Sequence, residues 1–129
     1  MGPKRIIDTG GPKAGPYSPA VVANGLAFVS GQIGFSQADG KLAGETVESQ
    51  LRQAFDNTAL LLEAAGCTLA DVVKVTVYLV DLSQFQAVNK VFGEVFPQDP
   101  PARTTVEVSA LPLGALVEID VVATVTSQG

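Results

Sequence analysis

Arg103 and Glu118 are the residues of this sequence whose types and settings best suit chemistry. Arg103 follows Pro100-Pro101-Ala102, where proline fixes φ and stiffens the approach to a predicted strand. A guanidinium on a rigid base suits bidentate capture of a carboxylate, although an edge-strand arginine paired with a surface acid fits the same segment. Glu118 lies between Val117 and Ile119 in an otherwise apolar strand. A carboxyl there is either partly desolvated, with a raised pKa suited to moving protons, or turned to the solvated face of a sheet. Asp120 shares its face. Tyr17, within Gly15-Pro16-Tyr17-Ser18-Pro19, can cover a site or pack on the core, and Ser30 ends a predicted hairpin strand. Gly31, directly after it, either admits a ligand close to backbone N–H groups or terminates the strand. Asn89 interrupts the apolar residues of a predicted helix and reads as solvent-facing.

The residue types that are missing narrow the chemistry further. There is no histidine, which excludes histidine-based triads, zinc–histidine sites and imidazole general bases. The one cysteine, Cys67, precludes an intramolecular disulfide, and a cysteine-based metal site is not expected. Having no basic neighbour, Cys67 reads as structural. Eight Lys and Arg against thirteen Asp and Glu give a net charge of −5, with no basic run, which argues against nucleic-acid binding. No stretch approaches the roughly 20 apolar residues that span a bilayer. Met1 to Ile7 has no apolar signal region, and Pro3 and Ile6 do not suit myristoylation, so a cytoplasmic protein is expected.

These residues need a scaffold, and 129 residues make one domain with a real core. Val21 to Ala23 and Leu26 to Val29 flank Asn24-Gly25, the pair that a type I′ hairpin turn demands. Arg5 to Thr9 can add a short strand. Val47, Leu51, Ala54, Phe55, Thr58, Leu61, Leu62 and Ala65 recur at spacings of three and four, which predicts a helix from Val47 to Ala65. Thr46 caps its start and Gly66 stops it, while Gln50, Gln53, Asn57 and other polar residues mostly fall off the apolar face. Val72 to Val80 predicts a strand with Val73, Val75, Val77 and Leu79 on a buried face. A second helix is expected at about Gln84 to Val95, opened by a capping box of Ser83 and Gln86. Strands at about Thr104 to Val108 and Leu116 to Val125 complete the order. The expected fold is α+β, one mixed sheet with both helices on one face. At 47% hydrophobic and only 16% charged residues, the chain has apolar surface to spare, so other subunits are expected to cover the free face.

Certain stretches, taken together, carry a resemblance. Gly15-Pro16-Tyr17-Ser18-Pro19-Ala20, Ser30-Gly31-Gln32-Ile33, Asp56-Asn57 with Ala64-Ala65-Gly66, Pro101-Ala102-Arg103-Thr104 and Val117-Glu118-Ile119-Asp120 occur in that order. The chain resembles the RidA family, also called YjgF, over essentially its whole length. The resemblance implies a chorismate-mutase-like homotrimer with its sites in clefts between subunits. It implies hydrolysis of 2-iminobutanoate and 2-iminopropanoate to 2-keto acids and ammonia, with neither metal nor cofactor. It further implies that Arg103 binds the substrate carboxylate, that Glu118 serves the hydrolytic water, and that Tyr17, Ser30, Gly31 and Asn89 surround the ligand. Many relatives have cysteine two residues after the arginine; here Thr105 stands there, keeping a backbone N–H and a small polar side chain for the ligand. The alternatives are a non-catalytic protein that binds 2-keto acids or acts as a chaperone, an endoribonuclease or translation inhibitor, and a chorismate mutase. Acidic charge and missing histidine weigh against the nuclease, and a single site arginine weighs against a dicarboxylate substrate.

Overall fold

The computed structural model describes residues 3–13 and 15–125. Six strands form one sheet: β1 (Arg5–Ile7), β2 (Ala20–Ala23), β3 (Leu26–Ile33), β4 (Val72–Leu79), β5 (Ala102–Glu107) and β6 (Val117–Thr124). Their order is β1-β2-β3-β6-β4-β5, and β4 and β5 are the parallel pair, joined through a helix. Helices α1 (Val47–Ala65) and α2 (Phe85–Val95) pack on each other, with α1 against β3 and β6. The single mixed sheet with its two helices agrees with the sequence reading, and Arg5–Ile7 does form the short first strand.

Local chemistry explains the element boundaries. Asn24 (φ 52°) and Gly25 (φ 76°) take the two left-handed positions of the hairpin turn, so β2 and β3 pair Ala23 with Leu26. Thr46 Oγ1 accepts the Ser49 N–H at 3.1 Å, which fixes the start of α1. The start of α2 departs from expectation. Asp81 accepts the Ser83 N–H and caps a short 3₁₀ turn, Leu82–Gln84, and α2 begins at Phe85 with no side-chain cap. Gln86 accepts from Asn89 instead of closing a box with Ser83.

Strict alternation in β6 buries Val117, Ile119, Val121 and Ala123 under the helices and turns Glu118, Asp120, Val122 and Thr124 to the opposite face. In β4 a register shift between Val72 and Lys74 moves the pattern by one residue. Val72 takes the buried place expected of Val73, which is left exposed, while Val75, Val77 and Leu79 stay buried. Phe55, Phe92 and Phe96 meet edge-on and tilted in the core between the helices, with ring centroids 4.8–6.2 Å apart. Among the described residues no helix covers the opposite face of the sheet: Phe28 is 44% exposed there, with Ile6 and Val106 exposed on either side. Among the described residues no helix is long and apolar enough to cross a membrane.

Candidate functional site

Glu118, the second residue of β6, lies on the uncovered face in register with Tyr78 of β4 and Ile33 of β3. It is half-buried, and burial together with the nearby Asp120 charge raises its carboxyl above the ordinary value. Among the described residues its carboxylate has no hydrogen-bond or ion-pair partner. Asp120 is held: the Tyr78 hydroxyl donates to its Oδ2 at 2.7 Å, and that bond, helped by burial, pushes the tyrosine up to about 12.

Gly31 explains how Glu118 finds room. A Cβ built on it would fall on the Glu118 carboxylate, so only glycine permits the approach. The strand bulges between Val29 and Gln32, which brings Gly31 to that place. Next to it the Ser30 hydroxyl donates to Ser18 O at 2.7 Å, and the Ser30 N–H donates to Pro19 O at 2.9 Å. Ser30 thereby pins the segment carrying Tyr17 against β3. Tyr17, Ser30, Gly31 and Glu118 all line one largely apolar cavity of about 580 Å³.

Arg103 lies elsewhere. In β5 it is in register with Val75 and, through β4, with Val121, both buried under the helices. Arg103 and Glu118 therefore point to opposite faces of the same sheet. The guanidinium sits over the rings of Phe85 (5.1 Å) and Phe92 (4.9 Å), and its Nη2 donates to Asn89 Oδ1 at 2.8 Å. No carboxylate pairs with it among the described residues, and burial lowers its pKa because nothing nearby offsets the lost hydration. The arginine paired with a surface acid is thus not what forms. Asn89, expected to face solvent, instead orients the guanidinium. Thr105, two residues along the strand on the same face, has a buried hydroxyl without a partner among the described residues. One chain accordingly gathers the candidate residues into two separate groups: Tyr17, Ser30, Gly31 and Glu118 in one, Asn89, Arg103 and Thr105 in the other.

Two buried amides were read from the sequence as lying off the apolar face, and one of them, Asn57, lines the cavity. Asn57, 1% exposed, donates to Ile33 O and Phe35 O and accepts from Gln37 and Gln53, tying α1 to the segment after β3. Gln50, 2% exposed, donates to Gly44 O and accepts the Leu116 N–H just ahead of β6. The signal was present: Gln50, Ala54, Asn57 and Leu61 repeat at four and three residues, the spacing of a buried helical stripe. Cys67 is buried, as its structural reading requires, and burial raises its thiol.

The family model described as endoribonuclease L-PSP matches residues 11–125. The chain is 44% identical over 110 residues to Reactive Intermediate Deaminase A, chloroplastic, of Arabidopsis thaliana, covering 85% of this chain but 59% of that longer protein. It is 43% identical over 122 residues to the 2-iminobutanoate/2-iminopropanoate deaminase of Capra hircus, covering 93% of this chain and 89% of the goat protein. Among solved structures, the Rid-family protein YyfA of Yersinia pestis superposes with a TM-score of 0.90 at 42% identity, covering 95% of this chain and all of the other.

Proposed function

The chain belongs to the RidA/YjgF family, the endoribonuclease L-PSP family of the matching model, and from that premise we propose that it hydrolyses reactive 2-imino acids such as 2-iminobutanoate and 2-iminopropanoate to 2-keto acids and ammonia. The observation that carries the reading is the pair of half-sites: a guanidinium with no carboxylate partner, and a desolvated carboxyl with open cavity beside it. One binds an anion; the other moves protons.

A protonated imine is already electrophilic at C2, so the protein has to supply orientation and proton transfer rather than a strong nucleophile. In this reading Arg103, held by Asn89 and the two phenyl rings, grips the substrate carboxylate, and the Thr105 hydroxyl gains a hydrogen-bond partner in the ligand. Water attacks C2 while Glu118 takes one of its protons, giving a carbinolamine. Glu118 returns that proton to the nitrogen, the C–N bond breaks, and the hydroxyl oxygen becomes the keto oxygen. The remaining hydroxyl proton leaves with ammonia as ammonium, which balances the reaction. A raised pKa suits Glu118 to both transfers.

Because Arg103 and Glu118 lie on opposite faces of one sheet, the working site takes Arg103 from one copy and Glu118 from the next. The uncovered face bearing Phe28, Ile6 and Val106 is the surface that such an assembly would bury. We take the assembly to be a closed homotrimer, acting in the cytoplasm. Nucleic acid is not the substrate in this reading: the chain has no histidine, its net charge is −5, and its site arginine stands alone. The test is steady-state release of ammonia and 2-keto acid from imines generated in situ by threonine dehydratase. Turnover above the spontaneous rate by pure protein, with a solution mass near three times 13.3 kDa, is the expected result. A rate equal to spontaneous hydrolysis overturns the proposal.

A further inference from the structure

Leu113 combines two costs at one residue. It is the most exposed large apolar side chain among the described residues, at 69%, and its backbone is left-handed, with φ 59° and ψ 18°. A side chain with a Cβ is strained in that region, which Asn and Gly occupy with far less penalty. The turn Pro112–Gly114 that carries it lies between β5 and β6, a few residues ahead of Glu118. Leu113 also lines the cavity that holds Glu118 and Gly31. Strain of this kind gathers where side chains meet ligands, and here it holds an isobutyl group at a catalytic cavity instead of in the core.

The cavity is larger than the smallest imino acids need. Its volume of about 580 Å³ falls within the roughly 300–1,000 Å³ of sites that enclose drug-sized ligands. An imino acid of three or four carbons fills only part of it in a single chain, leaving room both for the neighbouring copy that brings Arg103 and for a larger substrate side chain. With the imine carbon beside Glu118, the apolar part of the remaining wall is formed by Tyr17, Pro19, Ile33, Phe35, Leu61 and Leu113, with Lys13, Gln37 and Asn57 as polar neighbours. We propose that Leu113 is a specificity-determining residue that packs on the substrate side chain and favours imino acids with branched or aromatic apolar side chains over the smallest ones. This inference rests on the deaminase reading and names the substrate class of that same site.

The test compares wild type with Leu113→Asn and Leu113→Gly, both compatible with the left-handed backbone and so expected to fold. Imines are generated in situ from leucine with an L-amino-acid oxidase and from threonine with threonine dehydratase. The kcat/KM ratio of the leucine-derived imine to 2-iminobutanoate is expected to exceed one in wild type and to fall about tenfold in both variants, the scale of losing one or two methylene contacts. Calorimetry with 4-methyl-2-oxopentanoate and 2-oxobutanoate reads the same preference as a ratio of affinities. Ratios that stay within about twofold of wild type in both variants overturn the role of Leu113. If wild type turns over neither imine, the deaminase reading fails by itself, and the keto-acid affinity ratio still decides whether Leu113 sets the preference.

Discussion

The division of the site between two copies can be tested by pairing defects. Arg103→Ala removes the carboxylate clamp and leaves the Glu118 cavity whole; Glu118→Gln does the reverse. Hydrogen bonds to charged groups contribute about 1.5–3 kcal/mol each, so losing a bidentate clamp costs about 3–6 kcal/mol of transition-state stabilisation, or about 10²–10⁴ in kcat/KM. Folding should survive. Arg103→Ala forfeits one hydrogen bond to Asn89 and two ring contacts but also removes a desolvated cation that no acid offsets, so stability should shift by only about 1 kcal/mol. When the two variants are co-expressed with different tags and the mixed oligomer is purified, each site draws one half from each of two neighbours. In a closed trimer that contains both variants, one site in three pairs an intact Arg103 with an intact Glu118, so imine hydrolysis should return to about a third of the wild-type rate. The assay is ammonia release from 2-iminobutanoate, with each variant alone as baseline. A mixed oligomer no more active than its parents refutes the two-copy site. Arg103→Ala alone retaining near-wild-type turnover refutes the clamp itself.

Three further outcomes follow from single residues. Gly31→Ala sets a methyl group on the Glu118 carboxylate and, by displacing it about 1 Å, should lower kcat about 10²-fold while circular dichroism stays native; unchanged kcat would mean that Glu118 is not the proton carrier. Thr105→Val removes a buried hydroxyl with no partner, so chemical denaturation should show a gain of about 1 kcal/mol while 2-oxobutanoate binds several-fold more weakly; a loss of stability contradicts the orphaned hydroxyl. Burial raises the folded-state pKa of Glu118, so the fold favours its protonated form, and that contribution is present below the ordinary carboxyl value and lost as pH rises through the raised one. Glu118→Gln should therefore melt above wild type at neutral pH, with the difference vanishing below about pH 4; an equal difference at both ends rules out a desolvated Glu118.

Much of the scaffold was legible because its signals are local. The Asn24-Gly25 turn, the apolar stripe of α1 and the alternation of β6 each follow from a period or a dihedral requirement that neighbouring residues satisfy. The misreadings came from choices made by tertiary contact. The shift at Val72 exchanged which valine is buried, and Asp81 took the cap that Ser83 and Gln86 were expected to form. Gln50 and Asn57 look like surface amides until the segments at Gly44 and Phe35 pass close enough to be hydrogen-bonded. Long-range partners of this kind leave only a faint trace in sequence, here an amide where a helical stripe calls for an apolar residue.

The site residues show the same division more sharply. Composition and periodicity could place Arg103 in one strand and Glu118 in another, but alternation within a strand says nothing about which face of the sheet a second strand's residue will share. That depends on β4 standing between β5 and β6 and on its register with each. Once the register is known, Arg103 aligns with Val75 and Val121, Glu118 aligns with Tyr78, and the two cannot meet through the sheet that separates them. The surplus of apolar residues, which first suggested partner subunits, and the opposed directions of the two side chains then ask for the same thing. A second copy laid on the uncovered face would bury Phe28 and could bring a guanidinium to the cavity of Glu118. Assembly and catalysis would then depend on one surface, so a charge introduced at Phe28 should cost both together.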